Sequence, residues 1–158
     1  MAADINPRAA IRTGKETPQT MGQQLGGVVL AAVSDLQPLA GGPVVSVCEP
    51  WAFERIRNGE RELVSTEIQS LWAGELAVLA IPGELCSRYT ARFRDLSPLP
   101  ATLVLTMANG AIGYLPLDEA YPQGGLEVMR AAMELVEGPL TEHAVPVDAG
   151  LALQFVPQ

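Results

Sequence analysis

"ELAVLAIPGELCSRYTARFRDLSPLPATLVLTMANG", residues 75–110, decides the fold. Its opening, residues 75–81, is a short, wholly apolar run between Gly74 and Pro82-Gly83, the pattern of a central strand covered on both faces. Residues 84–96 then read as a helix with Leu85, Tyr89, Arg92 and Phe93 near one face, stopped by Ser97-Pro98. A second apolar strand follows at residues 101–108, broken by the glycines and proline of "NGAIGYLP", residues 109–116. Strand, helix and strand with short connections form a βαβ unit, whose right-handed crossover leaves the two strands parallel. Parallel strands end at the same edge of their sheet, where open α/β sheets bind ligands. Glu84 and the loop from Asn109 to Tyr114 are therefore expected to meet at that edge.

Working outward, "PVVSVCEPWAF" and "LVSTEIQSLWAG" read as two strands, the second with Val64, Thr66, Ile68 and Trp72 alternating onto one side. Asn58-Gly59 between them predicts a hairpin turn, and with residues 75–81 the strands make an antiparallel meander. Upstream, Thr17-Pro18 predicts a helix start, and Met21, Leu25, Val28, Val29, Ala32, Val33 and Leu36 predict a helix with one buried face, ended by Pro38 and Gly41-Gly42-Pro43. Residues 117–125 read as a short helix and turn, residues 126–139 are ambiguous, and residues 148–156 read as a helix or a closing strand. The expected fold class is α/β, helices packed on a mixed sheet that contains a βαβ unit, in a single domain over residues 1–158.

The 158 residues have the size of one ordinary domain, and 48% hydrophobic against 18% charged residues argues against disorder over most of the length. A formal net charge of −8, with ten Lys and Arg in all, argues against nucleic acid as a partner. No apolar stretch reaches the roughly 20 residues of a membrane span, and the N-terminus has no secretory h-region, so the chain as written is expected to be cytoplasmic. Cys48 and Cys86 lack CxxC spacing and read as core thiols.

Glu84 admits two readings. Its charge complements a helix N-terminus, or it is a metal ligand or general base held by a sharp turn at a strand end. Tyr114 is either a metal ligand and proton donor or a packed tyrosine with its hydroxyl tied to the backbone. Asn109-Gly110 is a candidate for a turn that uses positive φ. His143 is the only histidine, and a zinc hydrolase takes about three protein ligands, so this chain alone lacks a complete set. No GxSxG, HExxH, phosphate-loop or dinucleotide pattern occurs. A nucleophilic Cys86 beside Glu84 would have to share that distant histidine.

The order of "ADINPR", "MGQQLGGVVLAAV", "TEIQSLWAGELAVLAIPGEL", "LSPLPATLVLTMANGAIGYLPLDEAYPQGGLEV" and "AGLAL" resembles the latter part of the neutral/alkaline non-lysosomal ceramidase-like family over nearly the whole chain. Its most specific pieces are Pro82-Gly83-Glu84, Asn109-Gly110, Gly113-Tyr114-Leu115-Pro116, and Ala120-Tyr121 with Gly124-Gly125. The resemblance implies a zinc-dependent amidohydrolase of sphingolipid metabolism, acting on a lipid-like amide, whose members are often exported. It implies Glu84 and Tyr114 as zinc ligands, Tyr114 as a catalytic residue too, and Asn6 as a catalytic-site residue where the ceramidases have serine. Two further departures accompany it. Ala111 stands where the family also tends to carry an aromatic residue, and the family's N-terminal portion with its two zinc histidines is not among these residues. The implied protein is a partial hydrolase domain that needs the missing half, on another chain or upstream, or forms a homo-oligomer. The alternative is a non-catalytic binding or structural domain that has lost the metal site.

Overall fold

The computed structural model describes residues 4–5, 13–14, 17–57, 60–129 and 131. The chain divides into two compact units, Met1–Ile5 with Gly41–Gln158 and Asn6–Ala40.

The smaller unit holds helix α1, Pro18–Val33. Thr17 caps it: its hydroxyl oxygen accepts from the Thr20 amide at 3.2 Å, and Pro18, without an N–H to satisfy, fits the first turn. The expected buried face is corrected. No residue of α1 is buried, and Met21, Leu25, Val28, Val29, Leu30 and Val33 are all exposed. An apolar stripe specifies that a helix has a face to cover, and says nothing about what covers it.

The larger unit is built on a four-stranded mixed sheet in the order Val44–Arg57, Glu60–Ala73, Leu76–Ile81, Ala101–Thr106. Strands β1, Val44–Arg57, and β2, Glu60–Ala73, form a long antiparallel hairpin whose last pair is Arg57 with Glu60. That closure leaves two connecting residues, Asn58 and Gly59, which lie outside the described residues. Strand β3, Leu76–Ile81, pairs antiparallel with β2 and parallel with β5, Ala101–Thr106. Between β3 and β5 come the two-residue strand β4, Glu84–Leu85, and helix α2, Ser87–Leu96. A second small sheet pairs β4 in parallel with β6, Tyr114–Leu115, after which a 3-10 turn, Asp118–Gln123, leads to helix α3, Leu126–Met129. The fold is thus mixed α/β, with a βαβ arrangement at one side of the sheet.

The helix after Pro82-Gly83 was expected to begin at Glu84; it begins at Ser87. Residues 84–85 are drawn into the ladder with β6, which uses their backbone groups before a helix can.

Register sets the two faces of the sheet. Trp51, Ile68, Ala77, Leu79, Ile81 and Val104 fall on one side by period-two alternation, and Phe93 of α2 packs there with Leu85, Ile112 and Leu115 to form the core. The Trp51 and Phe53 rings extend it, 4.8 Å between centroids. The other side carries Leu71, Val78 and Ala80, half-buried, with Leu103 and Leu105 each 48% exposed. Among the described residues β3 is therefore covered on one face, where its sequence is apolar on both. Cys48 lies on that open side and is exposed, which corrects its expected place in the core, whereas Cys86 is buried.

Candidate functional site at the sheet edge

Strands β3 and β5 end in register at Ile81 and Thr106, so the Pro82-Gly83-Glu84 turn and the loop from Met107 leave the sheet side by side. Their backbones interlock. The Ala108 amide donates to Ile81 O at 3.0 Å, the Met107 amide to Gly83 O at 3.2 Å, the Ile112 amide to Pro82 O at 3.0 Å, and the Glu84 amide to Gly113 O at 2.9 Å. Every carbonyl from 81 to 83 is thereby used, in a turn whose residues Pro82 and Gly83 are buried.

Such close approach depends on particular residues. A Cβ on Gly83 would stand 2.7 Å from Leu115 Cδ1 and 3.1 Å from Gly113 O, so any larger residue requires Leu115 to shift. Across the turn, Met107 and Asn109 take φ of 57° and 60° and Gly113 takes 109°. Asn tolerates that conformation readily and Met rarely does, so the four cross-loop bonds hold Met107 there.

The product of this interlock is the β4–β6 ladder, Glu84 opposite Tyr114 and Leu85 opposite Leu115. Leu85 and Leu115 are 0% and 1% exposed and enter the core. By alternation Glu84 and Tyr114 project to the other side, on strands about 4.8 Å apart. Both are half-buried. A carboxylate and a phenol thus stand next to each other at the C-terminal edge of the parallel pair.

The first turn of α2 ties the surroundings together through three consecutive residues. Ser87 bonds both carboxylate oxygens of Asp4, Arg88 pairs with Glu119 at 3.0 Å, and the Tyr89 hydroxyl donates to Pro116 O at 3.1 Å. On the open side of the sheet a second set of contacts reaches the loop. Asn109 Nδ2 donates to Gln69 Oε1 at 2.8 Å, Gln69 Nε2 donates to Glu67, and the Cys48 thiol donates to the other Glu67 oxygen at 3.0 Å. A carboxylate only accepts, so Glu67 fixes the orientation of the Gln69 amide, and through it that of Asn109. The Glu67 bond pushes the Cys48 thiol above its ordinary value, with desolvation acting in the same direction.

Of the residues singled out in the sequence, Glu84 and Tyr114 are brought together, and Asn109, in the loop that leads to Tyr114, has its side chain turned to Gln69. Ala111 is exposed. Asn6 and His143 lie outside the described residues. The ties from Asp4 to Ser87, Arg88 to Glu119 and Gln69 to Asn109 are not legible in the sequence, because each joins segments with no shared local pattern.

Glu84 and Tyr114 are the residues here that could ligate a metal. Among the described residues, however, no group of three His, Cys, Asp or Glu is placed to hold one. One carboxylate and one phenol fall short of the about three protein ligands that zinc takes in hydrolases, so the described residues do not by themselves make a zinc site. No helix among them is long and apolar enough to cross a membrane. Comparison of the chain with family models, with curated proteins and with solved structures finds no match.

Proposed function

We propose that this chain is the latter part of a zinc-dependent, ceramidase-like amidohydrolase domain. Glu84 and Tyr114 act as two of the metal ligands, and a second segment, on another chain or upstream, supplies the histidines. On this reading the chain cleaves an amide bond only when completed, and a substrate with a lipid-like part fits the resemblance. Zinc, when bound, would supply Lewis-acid activation of the amide.

The observation that supports this reading is the two-residue ladder between β4 and β6. A carboxylate and a phenol separated by 30 positions, read from an alternation that buries both following leucines, share one side of a sheet edge where α/β enzymes bind ligands. The interlocked backbone around them gives the rigid support that metal ligation needs.

The test is to co-express the chain with any histidine-bearing segment encoded directly upstream and to measure zinc in the purified complex. Zinc retained by the wild type and lost in Glu84→Gln would sustain the reading, with Tyr114→Phe weakening retention by a smaller factor. Zinc content unaffected by Glu84→Gln would overturn it. A complex that forms without zinc would favour the second reading, a binding or structural domain, which Ala111 in place of the family's aromatic residue also favours.

A further inference from the structure

Helix α2 has no cap of its own. Its N-cap residue, Cys86, makes no side-chain bond to the helix, and no acidic residue lies in the first turn. An α-helix leaves its first amides without intrahelical partners, and buried or crowded ends need a substitute. At Ser87, the first helical residue, that substitute comes from 83 positions away. The Ser87 amide donates to Asp4 Oδ1 and the Ser87 hydroxyl donates to Asp4 Oδ2, each at 2.7 Å. Both carboxylate oxygens are engaged, at the length of charge-assisted bonds.

We infer that Asp4 is a positioning residue for the Glu84–Tyr114 edge, acting through Ser87; its bearing on metal binding rests on the reading of Glu84 as a ligand. Only Leu85 and Cys86 separate Glu84 from Ser87, and both are buried. Motion at the start of α2 therefore has little slack to absorb it before it reaches Glu84. The same turn carries Arg88, paired with Glu119, and Tyr89, bonded to Pro116, and both partners follow Tyr114 within five residues or fewer. Fraying the first turn loosens the two sides of the ladder at once. Asp4 supplies the side-chain cap that Cys86 does not.

Amide hydrogen exchange on the intact chain tests this, with Asp4→Ala, Asp4→Asn and Ser87→Ala compared with wild type. Asp4→Ala is expected to speed exchange about fivefold to tenfold at Ser87, Tyr89 and Glu84, the loss of a helix cap, while β2 and β3 keep their protection. Asn keeps an acceptor for the Ser87 amide and a donor for its hydroxyl, so Asp4→Asn is expected to restore most of the protection. Ser87→Ala keeps the amide bond to Asp4 Oδ1 and loses the hydroxyl bond, so it should show the same pattern as Asp4→Ala at Tyr89 and Glu84 with a smaller amplitude. In the zinc-loaded complex, Asp4→Ala should weaken zinc binding by roughly tenfold, as loss of a supporting contact does. Unchanged exchange at Glu84 in Asp4→Ala, or equal effects of Asn and Ala, would overturn the inference. Altered exchange at Glu84 in a protein that binds no zinc would leave the positioning role standing and remove the metal reading alone.

Discussion

At Gly83 a single hydrogen atom decides whether the two loops can meet. Alanine there would put its methyl 2.7 Å from Leu115 Cδ1, a side chain only 1% exposed, and 3.1 Å from the Gly113 carbonyl. Leu115 is buried and would have to shift, so Gly83→Ala should destabilise the fold by about 1–3 kcal/mol, measured by urea unfolding. Cys48 presents the opposite case, an exposed residue whose chemistry is set by a neighbour. Its thiol is held above the ordinary 9.0 by donating to Glu67. The fold thus favours the protonated form: the stabilising effect is complete below the titration of an unfolded cysteine and is lost as pH rises through the higher folded value. Alkylation near pH 8.5 should therefore run slower at Cys48 than in a short peptide, and Glu67→Gln should speed it. An unchanged rate in that variant would remove Glu67 as the cause. Neither effect was legible in the sequence. Cys48 has the same apolar surroundings in the chain as a buried cysteine, and only the strand register puts it on the open side.

Strands β3 and β5 carry apolar residues on both faces, but their two faces differ in what they touch. Leu79 is 6% exposed and packs in the core, whereas Leu103 on the opposite face of β5 is 48% exposed. Leu79→Ala should cost about 2–5 kcal/mol, the range for a buried leucine whose site cannot collapse. Leu103→Ala should cost far less, within about 0.5 kcal/mol of a surface substitution. Comparable losses at the two positions, measured by the same unfolding assay, would mean that the open face is covered. The elements themselves were readable: the apolar runs flanked by Gly and Pro marked β3 and β5, and the period-two alternation of Val64, Ile68 and Trp72 marked β2. Two things were not. The start of α2 was misplaced by three residues, since pairing with a strand 30 positions away overrode the local helix pattern at Glu84 and Leu85. The buried face of α1 was an expectation about a neighbour, and a helix's own periodicity contains no information about its neighbours.

At the scale of the whole molecule, the meeting of Glu84 with Tyr114 was legible because it follows from topology: parallel strands joined by a helix must release their C-terminal loops at one edge. What the pattern did not contain was the means of holding them there, the four backbone bonds between residues 81–84 and 107–113 and the contact from Asp4 across 83 positions. The long-range ties explain why short segments suffice for the ladder, since two paired residues would not persist unaided. The ladder's brevity also makes the chain sensitive to changes of length. Along a strand, a slip of one residue exchanges the two faces. One residue inserted between Met107 and Gly113, in a surface loop of the kind that ordinarily accepts insertions, would move every later residue one place along. Gly113 would then oppose Glu84 and Tyr114 would oppose Leu85, driving the phenol toward the core and leaving Leu115 beyond the pairing. A deletion would seat Leu115 beside the carboxylate. The spacing of this loop is thus as much a part of the site as the identity of its residues.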